Sequence, residues 1–324
     1  MHGMKFKAPN PTPKGLWRRV PPAIFPPIMG LLGLSLAWRR GAGVFGLPQG
    51  LADALAGAVT LLAAFALLTY LVKIGRRPGV LVDELRILPG RAGAAAAVLC
   101  VYLIAGIFVP LAPGLAKAIL FAGLAIHAAY TGALLYAFAT GPKEQRRVSP
   151  VFHLAFVGWI IAALVAQSLM LDALALPLFW IALALALAIW AVQAVQLTRE
   201  TVPAPLRPLL AIHVAPAALC GMVAQGFGFG TIALALAVVG LGIALALVMA
   251  GKWLLSSGFS PLWGALTFPL AALANFWMAM GGAWQMPGAL LLVAATLAIP
   301  PIAFKILKQW ASGQLAIKTN AASA

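Results

Sequence analysis

Three histidines, His127, His153 and His213, are the residues of this sequence best placed for chemistry in an apolar setting. Each stands inside a long apolar run, and an ionisable group there is a functional candidate by default. Imidazole titrates near neutral pH, so such rings can sense or relay protons. His127 and His213 fall near the middle of their runs and are the proton-sensing candidates. Two other roles stay open: a neutral ring bonded to a neighbouring helix, or half of a bis-histidine haem site. The six acidic residues are placed differently. Asp83, Glu84, Glu144 and Glu200 fall in links between runs, and Asp53 and Asp172 fall at run ends. A carboxylate relay at mid-depth, the usual device of ion-coupled carriers, is therefore not expected. The sequence has no His-Glu-x-x-His motif, no Gly-x-Ser-x-Gly elbow and no phosphate loop ending in Gly-Lys-Ser/Thr. It reads as no enzyme, with no metal centre and no cofactor.

The elements that must hold these rings are membrane helices. Of 324 residues, 63% are hydrophobic and 9% charged, where soluble domains carry about 25% charged residues. Ten apolar segments are read at 21–38, 50–73, 92–110, 114–139, 149–170, 173–197, 205–224, 230–250, 261–281 and 287–308, each near the roughly 20 residues that span a bilayer. The domain reading is an N-terminal arm over 1–20, a ten-helix transport domain over 21–309 and a tail over 310–324, short and expected to be disordered. Residues 1–19 are polar, basic and Pro-containing, and the run after them leads to many more, so no cleavable signal peptide is expected. Cys100 and Cys220 lie inside apolar runs and read as small packing residues.

The net charge of +16 does not point to nucleic acid, because the charge is divided among short links. Nineteen of the 22 Lys and Arg residues fall on one side of the ten segments, and only Arg39, Arg40 and Lys117 fall on the other. That asymmetry puts both termini in the cytoplasm. The third, fifth, seventh and ninth connections are tight turns, so the chain reads as five helical hairpins. Helix breakers concentrate in the odd segments: Pro26, Pro27, Gly30 and Gly33 in the first, Pro216 and Gly221 in the seventh, Gly264 and Pro269 in the ninth. Broken helices free backbone groups that hydrocarbon does not tolerate. An inner ring of five odd helices inside five even ones is therefore expected, although Gly and Pro are also common in membrane helices generally. Lys and Arg are read as absent from the spans. An anion path would then rely on helix N-termini and partly free amides, fed by the basic face.

Several pieces, in order, resemble the tellurite-resistance and C4-dicarboxylate transporter family, which includes TehA-like bacterial proteins, fungal malate and sulfite transporters and plant slow-type anion channels. They are Gly30 to Trp38 in the first segment, Glu84, Pro89 and Arg91 before the third, Ala215-Pro216 in the seventh, and Trp263, Thr267-Phe268-Pro269 and Asn275 in the ninth. The resemblance covers about Pro21 to Lys308. It implies an all-α membrane protein of ten transmembrane helices, as five hairpins in quasi-fivefold arrangement around a central pore, assembled as a homotrimer. It also implies that Phe268 plugs the pore. The fifth segment departs from the family pattern: it starts Ser149-Pro150 and has Ala155 where relatives carry a proline, so its kink is expected at Gly158 instead.

Taken together, the expectation is a bacterial inner-membrane protein passing small anions, with the lipid bilayer as its surroundings. The pore lining expected from the odd helices is Pro27, Gly30, Gly106, Phe152, Pro216, Thr267 and Asn275, with Phe268 as gate. The competing expectations are a proton-coupled carrier for malate-like dicarboxylates or for sulfite- or tellurite-type oxyanions, and a haem-carrying redox protein.

Overall fold

The computed structural model describes residues 15–324, and the basic positions Lys5, Lys7 and Lys14 lie outside the described residues. The described chain is helical, with no strand among the described residues. Its elements are α1 (Phe25–Phe45), α2 (Gln49–Arg76), the short α3 (Gly79–Leu85), α4 (Leu88–Phe108), α5 (Pro113–Thr140), α6 (Trp159–Ser168), α7 (Asp172–Arg199), α8 (Val214–Gly226), α9 (Gly230–Met249), the short α10 (Gly251–Leu254), α11 (Thr267–Met280), α12 (Gln285–Ala311) and the short α13 (Gln314–Lys318). Eight helical stretches are long and apolar enough to cross a membrane. The stretch His153–Ser168 is apolar but shorter. The 21-residue α1, which carries Pro26, Pro27, Arg39 and Arg40, is not among the eight.

The helices sort into two groups by burial. Of the apolar span, 83% is buried in α4 and 89% in Ala204–Gly226, against 33% in α2 and 22% in α9. The inner helices touch in closed order: α1 packs on α4, α4 on α6, α6 on α8, α8 on α11, and α11 back on α1. Each is also packed against the long helix that follows it, as α1 against α2 and α8 against α9. The outer helices show how the sequence arranges this. In α2 the buried positions are Ala52, Ala56, Val59, Ala63, Ala66, Thr69, Tyr70 and Lys73, a stripe at helical spacing made mostly of small residues. Without a hydrophobic drive between helices in lipid, such stripes let backbones approach closely. The rest of α2 is apolar and exposed, for example Leu61, Leu68 and Leu71.

Four inner helices are not α-helical from end to end. α1 is entered through a 3₁₀ turn at Pro22–Ile24, α8 through Ala204–His213 and α11 through Pro261–Leu266. α6 is entered through a π-turn at His153–Val157, and the winding changes at Gly158. The sequence placed a kink at this glycine. A Cβ there would stand 2.3 Å from the Leu154 carbonyl oxygen and 2.5 Å from Leu99 Cδ2 on α4, so only glycine lets the wide turn pass its neighbour.

Three sequence expectations need correction. The first helix does not stop at 38. It continues through Arg39 and Arg40 to Phe45 and ends on Gly46 at φ +65°, the left-handed cap that glycine supplies. Lys and Arg are not absent from the helices: Arg40 lies in α1, Lys73 in α2 and Arg91 in α4. The C-terminal tail is ordered: α13 buries Leu315 and Ala316, and the Ala324 N–H donates to the Arg18 carbonyl at 2.8 Å.

Glu84, read from sequence as a link residue, is fully buried with Lys73. Lys73 Nζ donates to the Glu84 carboxylate and, at 2.7 Å, to the Val20 carbonyl, while Tyr70 Oη donates to Glu84 at 2.6 Å. This network ties α3 and the chain before α1 to the end of α2.

Candidate functional site

Inside the ring lies a small cavity of about 60 Å³ whose wall draws on all five inner helices or the turns that enter them. α1 contributes Pro26 and Met29, α4 Pro89 and Leu99, α8 Pro216 and Leu219, and α11 Phe268 and Pro269. The broken entries contribute His153, Leu154, Leu209, Ile212 and Gly264. The cavity therefore occupies the half of the bundle where helices are wound irregularly. Pro216 and Pro269 have no N–H to donate to the turn before them, so the backbone beside the cavity is less fully paired than in a continuous helix. The regular parts of α6, α8 and α11 all begin beside it, with their positive ends on that side. The wall is otherwise apolar, and His153 is the one titratable side chain on it.

Phe268 carries the one phenyl ring on the wall of this cavity among the described residues. It is 6% exposed and sits two residues into α11. Its ring lies against α1 at Gly33, where an added Cβ would meet Cδ2 at 2.9 Å and Cε2 at 3.1 Å. Glycine at 33 is what lets the ring seat there. Two helical turns further along both helices, about 10 Å at the usual rise, Arg40 Nε donates to Asn275 Oδ1. The same pair of faces thus carries an aromatic contact at mid-depth and an exposed Arg–Asn pair nearer the far end. Beside it, Arg39 donates to Asp53 at 2.7 Å and to the Ile107 carbonyl at 2.8 Å.

On the other side a second, larger cavity, about 410 Å³, adjoins the first at Leu209. Arg86, Arg91 and Arg147 line it, with Glu144 and Glu200. Arg147 is paired with Glu200. Arg91 is fixed by the Leu85 and Gln145 carbonyls at 3.1 and 3.2 Å and lies over the Phe138 ring. Formal charge there is net positive, which raises the local concentration of small anions.

The sequence-predicted lining residues divide. Phe268 and Pro216 stand on the cavity wall. Gly30 and Thr267 meet each other, since a Cβ on Gly30 would fall 2.1 Å from Thr267 Oγ1. The Thr267 hydroxyl donates to the carbonyls of Gly264 at 2.7 Å and Pro26 at 3.2 Å. Pro27 packs on Gly264. These residues form the α1–α11 seam behind the wall. Phe152 is half-buried, stacks on Phe138 and meets Phe156 at a tilt, and is not among the residues of the cavity wall. Gly106 is half-buried, near Val165 of α6. Asn275 is held by Arg40.

His127 is taken up by packing. Its Nε2 lies 2.9 Å from the Ala155 carbonyl and its Nδ1 3.3 Å from Tyr102 Oη, and the ring stacks on Trp159 at 4.0 Å. Both nitrogens are engaged as a neutral ring requires, with Nε2–H donating and Nδ1 accepting. His213 instead meets His153, which the sequence did not single out as its partner: Nε2 of His153 is 3.0 Å from Nδ1 of His213. Arg40 is a site residue that sequence reasoning missed, and His153 was noted there without its partner. An unbroken helical pattern from Trp38 to Phe45 could have revealed Arg40. No spacing signal could have joined residues 60 positions apart.

No curated protein matches the chain. The pattern described as "Voltage-dependent anion channel" matches residues 19–306, a range that takes in every inner helix, Arg40, the His153–His213 pair and Phe268. The chain belongs to the voltage-dependent anion channel family.

Proposed function

We propose that the protein conducts small anions passively along the axis of its inner ring, with Phe268 closing the path at rest. Ten spans, paired as five hairpins in quasi-fivefold order, would form the conducting unit over 21–309. The closed order of contacts among α1, α4, α6, α8 and α11 supports that arrangement. The single observation that carries the reading is the seating of Phe268 against Gly33 on the wall of a cavity bounded by all five inner helices. Family membership supports anions as cargo. The Arg-lined cavity on one side and Arg40 on the other supply positive potential at both mouths. The lining offers no tight ligand set, so weak selectivity among small anions follows. The exposed apolar faces of the outer helices would meet lipid and, in a homotrimer, neighbouring copies. The basic side would face the cytoplasm of a bacterial inner membrane.

Arg40→Gln removes the outer charge but keeps a hydrogen-bond donor for Asn275. Anion flux through the variant is expected to fall about two- to fivefold, as a mouth charge worth about 0.5–1 kcal/mol of local anion potential would require. Wild-type flux after this change, in protein of unchanged melting temperature, would remove Arg40 from the path.

One observation favours a second reading, a proton-coupled carrier: His153 on the cavity wall is paired with a second buried histidine, His213. Radiolabelled-anion uptake into proteoliposomes separates the two. A passive path equilibrates the anion and no further, whatever pH gradient is imposed. Accumulation driven uphill by the gradient would establish the carrier.

A further inference from the structure

The His153–His213 pair is more than a packing contact. The rings meet edge to face, with centroids 5.0 Å apart, and the side chains are 3% and 8% exposed. Each ring uses one nitrogen on the other. The remaining two, His153 Nδ1 and His213 Nε2, have no hydrogen-bond partner among the described residues. Trp190 of α7, whose ring is 5.9 Å from that of His153, also has an indole N–H without one. His153 is on the cavity wall, and His213 lies behind it, next in the chain to the wall residue Ile212.

Counting protons decides what such a pair can bind. With both rings neutral, one N–H lies in the shared contact. If His153 donates it, His153 Nδ1 is an acceptor and His213 Nε2 a donor, and if His213 donates it the roles reverse. A neutral pair therefore presents one outward donor and one outward acceptor, a poor match for an anion. One added proton changes both facts at once. The shared contact keeps its hydrogen, both outward nitrogens become donors, and the pair carries one positive charge in a low-dielectric wall.

We propose that the His153–His213 pair is an anion-binding site within the cavity that is loaded when the pair takes up one proton. Its ligand is a small monovalent anion able to accept from His153 Nδ1–H, with the His213 ring behind it sharing the positive charge. The proton stays on the pair, so the site sets how much anion the cavity holds and not the direction of flow. The proposal rests on the pore reading only for its consequence in transport.

Other titratable groups on the surrounding elements are occupied or remote. On α4, Arg91 is bonded to the Leu85 and Gln145 carbonyls, and Tyr102 faces His127. On α5, His127 is bonded to Ala155, and Tyr130 donates to the Arg91 carbonyl at 3.3 Å. On α7, Asp172 and Arg199 occupy the two ends of the helix, and Glu200 just beyond it pairs with Arg147. In the entry to α8, Arg207 is bonded to Val202, Trp253 and Ser256. Lys252 is in α10, and Cys220 of α8 is a buried thiol. α9, α11 and Pro261–Leu266 carry no titratable side chain. The cavity wall thus has one switchable charge, and it is this pair.

The test is calorimetric titration of the purified full-length protein in detergent with sodium nitrate between pH 5 and pH 8, beside nitrate flux at the same pH values. Linked binding of one proton weakens affinity by about tenfold per pH unit where the pair is neutral. Wild type and His127→Gln are expected to show that dependence. His153→Gln and His213→Gln are expected to lose it while keeping their melting temperatures within a few degrees. Affinity that does not change with pH, or a pH dependence that survives in both pair variants, would overturn the proposal, as would its loss in His127→Gln. Should either pair variant not fold, His153→Asn and His213→Asn, which are smaller and keep a hydrogen-bonding amide, give the same reading. Binding with the expected pH dependence in a protein that passes no anion would leave the site standing and remove the pore. Flux without pH-linked binding would do the reverse.

Discussion

Phe268→Ala is expected to raise anion flux by about ten- to a hundredfold. Burying a phenylalanine ring stabilises the seated position by about 1.5–3 kcal/mol, and each 1.36 kcal/mol is a factor of ten in a rate. The ring is 6% exposed and seated on Gly33, so most of that stabilisation belongs to the closed arrangement. Alanine leaves a gap between α1 and α11 at the level where the ring borders the cavity. The neighbouring seam, with Thr267 tied to Gly264 and Pro26, does not depend on the ring and should hold the helices in place. Stopped-flow flux in proteoliposomes reads the change. Wild-type flux from a folded variant would mean that the ring only packs.

Glu84→Ala is expected to destabilise the fold by about 3–5 kcal/mol, the usual cost of leaving one partner of a buried ion pair alone. Lys73 is fully buried and would keep only the Val20 carbonyl. The Tyr70 hydroxyl would lose its acceptor too. Lys73→Met with Glu84→Leu removes both charges and should recover most of the loss, since apolar replacements of buried pairs are often near neutral. Thermal melts in detergent, followed by loss of helical signal, would show a large drop for the single change and a small one for the double. Equal losses would mean that the network's contribution is packing.

Much of the fold could be read in the sequence because hydrocarbon is a strict solvent. It forces long apolar runs and puts breakers inside the bundle, so the helices and the special character of the odd segments were legible. The first helix was cut short because Arg39 and Arg40 resemble a loop, and only the cap at Gly46 shows where it ends. Tertiary contact hid more. Gly30 and Thr267 look like pore residues by type, yet each is shaped to the other across a seam, and a small residue reads the same in either role. His127 and His213 both looked like proton-sensing candidates because of their depth; the His127 case turns on its contacts. That ring is engaged by Ala155, whose carbonyl lies in the π-turn, and by Tyr102. His153 and His213 meet because a π-turn and a 3₁₀ segment bring them together, and neither winding has a sequence spacing that predicts the contact.

The most direct test of the central claim, passive anion conduction past Phe268, is the current–voltage relation of purified Phe268→Ala in planar bilayers. It would be recorded with a potassium chloride gradient, at equal pH on both sides and then with a pH gradient. A large current that reverses at the chloride equilibrium potential in both conditions is the predicted result. A current no larger than wild type from folded protein, or a reversal potential that moves with the pH gradient, would contradict it.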